Sequence, residues 1–217
     1  YPPMRSAGTQ RAAKFSQYLP EFGYEPQVLT TSAFGVDRQG ALGEGALRAW
    51  EPIGLYRRWR NPAARDDAAA AARVRTGAGT SRLRRWRERL LIPDGQISWV
   101  PAAAMAALRR LQVGDLDLIF TTSPPPSSLL LGRFLRRQTG LPWVADFRDA
   151  WTFDPLDPDL LRQPFRHAIE QRMEAAVVAD ADLIITATHT AADDLCRRYP
   201  AAGRRVRVIT NGFDPAD

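Results

Sequence analysis

From residue 116 to residue 210 the chain alternates between short apolar runs and longer stretches whose apolar positions recur every three to four residues. Leu116–Thr122, Pro142–Phe147, Asp182–Ala187 and Arg205–Thr210 read as strands, and Ser127–Thr139, Phe165–Ala179 and Thr190–Tyr199 as the helices between them. Short, mostly apolar strands separated by helices predict an α/β fold. The expected form is a Rossmann-like, doubly wound, mainly parallel sheet with helices on both faces. Upstream, Ala12, Phe15 and Leu19 give Thr9–Tyr18 a helical stripe that Pro20 and Gly23 close, and Gln27–Thr31 is a short strand. Residues 32–62 are punctuated by glycine and proline and predict an irregular excursion. Two arginine-rich helices follow at Ala63–Val74 and Ser81–Leu91, then a turn at Pro93–Gly95 and a helix at Val100–Leu111. Residues 1–217 are expected to form a single domain, with 32–112 an irregular and helical excursion inside it. The small-residue loop Ser6-Ala7-Gly8 opens straight into a helix, so a first strand is expected ahead of Tyr1, outside this chain. At the other end Asn211-Gly212 is a turn dipeptide, followed by Asp214-Pro215.

Composition changes this picture little. With 45% hydrophobic and 25% charged residues the chain is an ordinary globular one. No apolar run approaches the roughly 20 residues needed to span a bilayer. Cys196 is the single cysteine, which excludes an internal disulfide framework, fits a reducing, cytoplasmic compartment, and predicts a buried structural thiol. Charge is more informative because it is uneven. Eleven arginines lie between Arg57 and Arg89 against Asp66, Asp67 and Glu88, while the whole chain carries +6. Tyr56, Trp59 and Trp86 sit among them, which suits docking on anionic lipid at the inner face of a membrane. Nucleic acid is the competing partner for such a patch, and a solvated helical face the third reading.

In an open parallel sheet, ligands bind outside the carboxyl ends of the strands. That rule selects Ser6-Ala7-Gly8, Ser123–Pro126, Arg148–Trp151, Thr188–Thr190 and Asn211-Gly212. Small residues ahead of a helix let backbone N–H groups approach an anion such as a diphosphate, and Arg11 lies one turn further on. Asp146-Phe-Arg-Asp149 places two carboxylates around Arg148, a group suited to orienting a hydroxyl or moving a proton, or alternatively to pinning the loop as an ion pair. Trp151 is a candidate platform for a sugar ring or a core residue. Asp154, Asp157 and Asp159 read as an extended acidic loop rather than a metal site. His189 begins a helix at a strand exit; His167 reads as a surface residue. Walker, HExxH and GxGxxG patterns are absent from the sequence, which weakens a dehydrogenase or epimerase reading.

These segments, in this order, resemble a known family. Tyr1-Pro2-Pro3 before the small loop and Arg11, Pro93-Asp94 ahead of Trp99, Asp117–Pro125, Gly140–Trp151, Ala181–Thr186 and Val208–Asp214 are together similar to the N-terminal domain of bacterial family 4 glycosyltransferases of GT-B fold. The resemblance implies a retaining transferase built of two Rossmann-like halves, of which this is the acceptor side. A nucleotide-sugar serves as co-substrate, held largely by a C-terminal domain outside this chain, with no metal and no nucleic acid. It further implies that Ser6, Ala7, Gly8 and Arg11 face the donor diphosphate, and that Ser123, Pro124, Trp151, Thr188 and His189 face a glycan or lipid-linked acceptor. Asn211-Gly212 would begin an interdomain hinge over 211–217. Many relatives carry Gly-Gly where Ser6-Ala7 stands and a histidine where Arg148 stands, so Asp149 and Asp146, with Arg148, are taken as the catalytic candidates. The alternative is a membrane-associating or scaffold module that keeps the fold without catalysis.

Overall fold

The computed structural model describes residues 1, 7–32, 45–52, 91–112, 114–153 and 163–214. These group into two compact units, one within 1–91 and 95–112, the other comprising 92–94 and 113–217.

The first unit holds helix α1 (Ala7–Tyr18), strands β1 (Leu29–Thr31) and β2 (Leu47–Ala49), and helix α2 (Val100–Leu111). The stop expected at Pro20 and Gly23 takes a definite form. A 3-10 turn, Leu19–Phe22, follows α1 and ends at Gly23, whose φ of 81° suits glycine and whose N–H bonds back to Pro20. β1 and β2 run parallel with Leu29 opposite Leu47 and Thr31 opposite Ala49, and the Thr31 hydroxyl donates to buried Glu51 at 2.6 Å. The irregular reading of 32–62 therefore missed β2. Three residues are too few for alternation to register, and the strand exists because β1 offers it a ladder. α2 packs the small side chains of Ala103, Ala104 and Ala107 inward, in contact with both strands.

The second unit is a four-stranded parallel sheet in the order β3 (Ile119–Ser123), β4 (Trp143–Phe147), β5 (Leu183–Thr186), β6 (Val206–Val208). Helices α3 (Pro126–Thr139), α4 (Pro164–Asp180) and α5 (His189–Arg198) make the three crossovers. The parallel α/β class agrees with the alternation in sequence. β3 starts three residues later than its apolar run, because the ladder begins only where Ile119 N–H finds Pro142 O at 2.9 Å. On β4, Trp143, Ala145 and Phe147 share one face and Asp146 the other, by the two-residue period. Gly132 of α3 lies against Trp143, whose indole N–H donates to Thr121 Oγ1 at 2.9 Å.

The amino ends of the strands are joined by ion pairs. Arg133 and Arg137 each meet Asp180 at 2.7 Å, and Arg136 meets Asp182 at 2.7 Å. Asp182 also accepts from Trp143 N–H at 2.8 Å, and Arg205 donates to the Ala181 carbonyl. The Arg136 hydrogen bond holds the Asp182 carboxyl below the usual carboxylate range. Burial works upward on Asp180, but hydrogen bonds from Arg137 and Arg133 outweigh it and its carboxyl is also lowered. Cys196, expected to be buried, is half-exposed on α5. Among the described residues no helix is long and apolar enough to cross a membrane.

Candidate functional site

Three loops leave the carboxyl ends of neighbouring strands in the second unit: Ser123–Pro125 after β3, Arg148–Phe153 after β4, and Ala187-Thr188 after β5. Parallel strands in register bring their exits to the same edge of the sheet, so these loops share it.

The first loop is built from proline and completed from elsewhere. Ser123–Pro124 and Pro124–Pro125 are both cis. Pro125, as the residue before α3, has no side chain to cap it, and Asp94 supplies the missing acceptor: Ser127 N–H donates to its Oδ2 at 2.7 Å. Ser128 Oγ donates to the carbonyls of Thr122 at 2.6 Å and Pro125 at 2.8 Å. Ser123 itself is buried, while Pro124 is half-buried.

Arg148 ties the second loop to the first. Its backbone N–H and its Nε both donate to Ser123 O at 3.1 Å, and its Nη2 donates to Pro124 O at 2.7 Å. The guanidinium is thereby directed at backbone carbonyls. Asp146 is fully buried and accepts from the Thr122 hydroxyl at 2.8 Å. Asp149 is exposed and makes no hydrogen bond or ion pair among the described residues. The two carboxylates are thus very differently placed: one is held inside the sheet, and the other stands open at the strand exit.

Trp151 is only 6% exposed and its indole donates to Glu170 Oε2 at 3.1 Å. Its ring is packed into the core, whereas stacking on a sugar needs an open ring face. Beside it, Thr152 donates through N–H and hydroxyl to Glu174 Oε2 at 3.0 and 2.9 Å. Glu174 is fully buried and is met by Arg198 Nη1 and, at 2.9 Å, by the Tyr199 hydroxyl. Burial, reinforced by the Glu174 charge, pushes the Tyr199 phenol well above its ordinary range. Glu170 pairs with Arg166 at 2.7 Å, and Arg166 reaches Pro93 O at 2.7 Å. A small cleft opens at this point between Phe147, Ala150, Phe153, Ala191 and Leu195.

At the β5 exit, Thr188 caps α5 by accepting from Ala191 N–H at 3.2 Å, and His189 is the exposed first residue of that helix. After β6, Asn211 and Gly212 are exposed, and Gly212 is not among the glycines of positive φ. The turn expected there is replaced by open chain. In the first unit, Ala7 and Gly8 begin α1, and Arg11 lies over the Phe15 ring with its guanidinium carbon 4.9 Å from the centroid. Ser6, the arginines from 57 to 89, and Asp154, Asp157 and Asp159 lie outside the described residues.

The sequence reading missed Asp94 as a cap and missed the whole Glu170–Glu174 assembly. A signal for the latter existed. Residues 170, 174, 177 and 178 form one helical stripe, and its last two members are the buried Val177 and Val178. Two glutamates in a stripe that is otherwise core mark buried acceptors.

The described fold is α/β, with parallel strands, flanking helices and polar loops gathered at the carboxyl ends of the strands. No curated protein matches the chain. The family model described as Glycosyltransferase Family 4 matches residues 9–217, nearly the full length. Fold and family model therefore agree: the chain belongs to glycosyltransferase family 4, as a Rossmann-like domain of the kind that forms the N-terminal half of a GT-B enzyme.

Proposed function

We propose that this domain is the acceptor side of a retaining hexosyl-type glycosyltransferase, which moves a sugar from a nucleotide-sugar to a cell-surface glycan or lipid-linked acceptor. The observation that carries this reading is the contrast at the β4 exit. Asp149 is an exposed carboxylate on a loop whose neighbours Arg148, Trp151 and Thr152 are all hydrogen-bonded. In this reading the Asp149 carboxylate orients the acceptor hydroxyl, with Pro124, Thr188 and His189 lining the same edge and Ser123 buried within it. Buried Asp146 and carbonyl-bound Arg148 hold the loop in place.

Transfer breaks the bond between the sugar C1 and the diphosphate oxygen and forms one from C1 to the acceptor oxygen on the same face. The acceptor proton leaves with the released diphosphate. Negative charge grows on that diphosphate, which favours a helix N-terminus. Ala7 and Gly8 open α1, with Ser6 before them and Arg11 one turn on. The donor's nucleotide falls to the C-terminal half of the enzyme. No metal is invoked. The arginine-rich segment from 57 to 89 would dock the enzyme at the inner face of an anionic membrane, where a lipid-linked acceptor resides.

Replacing Asp149→Asn in the enzyme that carries this domain is the test. Asn keeps the volume and removes the charge that orients the acceptor hydroxyl, so turnover should fall by roughly 10²-fold, the cost of a misplaced reacting group, with the melting temperature nearly unchanged. Wild-type turnover in the variant would sink the role given to Asp149.

A further inference from the structure

The β4 exit loop is fastened more densely than chain reversal requires. Arg148 is bound to the Ser123 and Pro124 carbonyls, Trp151 to Glu170 and Thr152 to Glu174. The acceptors of the second half, Glu170 and Glu174, stand one turn apart on α4 and are 4% and 0% exposed. Burying two carboxylates is strongly unfavourable unless each is paired and hydrogen-bonded. Both conditions are met: Arg166 lies on Glu170, and Arg198 and Tyr199 lie on Glu174. Packing of α4 alone does not call for this, since replacing a buried ion pair by apolar residues of similar volume is often neutral or stabilising. What only the carboxylates supply is a set of acceptors for Trp151 Nε1, Thr152 N–H and Thr152 Oγ1.

We propose that Glu170 and Glu174 are positioning residues: they immobilise the loop after β4 and so determine where the Asp149 carboxylate stands. The inference rests on the role given to Asp149 above. Its reach is wider than one hydrogen bond, because each glutamate is itself fixed from a second element. Arg166 anchors Glu170 to the carbonyl of Pro93, beside the Asp94 that caps α3. Arg198 anchors Glu174 to α5, the helix that His189 begins. The exits of β3, β4 and β5 are therefore linked through α4 rather than set independently.

The test works from the loop side, so that no buried charge loses its counter-ion. Thr152→Val removes one donor to Glu174 and Trp151→Phe the donor to Glu170, while Thr152→Ser retains the hydroxyl. Hydrogen exchange of the 217-residue chain, followed by mass spectrometry, reads the loop directly. Thr152→Val and Trp151→Phe should each speed exchange in the segment 149–153 by about tenfold, with β4 and α4 still protected. In the enzyme, Thr152→Val should lower kcat with little change in donor KM, and Thr152→Ser should restore it. Unchanged exchange in both loop variants overturns the proposal, and so does faster exchange with wild-type kcat. If Asp149→Asn itself turns over normally, the role of Asp149 fails, and the exchange result alone then decides whether the glutamates fasten the loop.

Discussion

Gly132 sits in the middle of α3, where glycine is ordinarily unfavourable, and Gly132→Ala sets two effects of known size against each other. Helix propensity favours alanine by about 1 kcal/mol. Space opposes it. A Cβ at this position would lie 2.4 Å from Trp143 Nε1, 2.6 Å from its Cε2 and 2.7 Å from Thr121 Cγ2. Non-bonded carbons prefer about 3.5 to 4.0 Å, so the indole would have to retreat by roughly 1 Å. It has nowhere to go. Trp143 is fully buried on the central strand β4, and its N–H is bonded to Thr121 Oγ1 at 2.9 Å. Overpacking of a rigid core costs about 1 to 3 kcal/mol, and losing the indole hydrogen bond adds about 1 kcal/mol. The clash wins, and Gly132→Ala should destabilise the chain by about 1 to 3 kcal/mol after the propensity gain is subtracted. Urea unfolding followed by tryptophan fluorescence and by far-UV circular dichroism measures it. In a Trp143→Phe background the nearest contacts disappear, so the same substitution should lose at least about 1 kcal/mol of its effect. A Gly132→Ala protein as stable as the parent, or more so, would refute the close approach of α3 to β4.

Two further expectations follow from charge. Asp180 and Asp182 are held below the ordinary carboxylate range, so their pairing contributes stability that is complete above the unfolded value of about 3.9 and is lost as pH falls through the lowered folded values. Asp182→Asn should therefore lower the urea midpoint at pH 7, with the gap to the parent closing below about pH 4; a gap independent of pH would refute it. The segment from Arg57 to Arg89 should bind anionic but not neutral liposomes in a co-sedimentation assay, at about 1 kcal/mol per basic residue near the surface. Binding should weaken with salt, because the screening length is already about 8 Å at physiological ionic strength. Replacing Arg82, Arg84, Arg85, Arg87 and Arg89 by Gln should abolish it, whereas equal sedimentation with both vesicle types would leave the cluster a solvated face.

What could be read in the sequence was whatever repeats. Val100–Leu111 is a helix with the bounds its pattern indicates, and β4 and β5 lie where apolar runs mark strands buried in a parallel sheet. Features that depend on a partner distant in the chain were hidden. β2 is three residues that become a strand only opposite β1. Asp94 caps a helix that starts more than thirty residues later, so no local capping pattern betrays it. At the candidate site, residue type pointed to the right loop but not to the fate of each side chain. Asp146 and Asp149 are equivalent as letters, yet Asp146 lies within β4 and is buried, whereas Asp149 lies past the end of the strand and is exposed. Trp151 reads equally well as platform or core until Glu170 is seen to take its N–H.

The ion pairs of Arg133, Arg136 and Arg137 with Asp180 and Asp182 close the amino-terminal edge of the sheet, opposite the loops that carry the candidate chemistry. Because Asp182 also takes the first backbone N–H of β4, that edge fixes the starting register of the central strand without help from the far side. A sheet secured at one margin is a favourable host for loop exchange at the other. Because Arg148 and α4 couple the three exits, those after β3 and β5 would have to be grafted together with the one after β4 when a different acceptor is wanted. The β4 exit should be transplanted only together with its α4 glutamates.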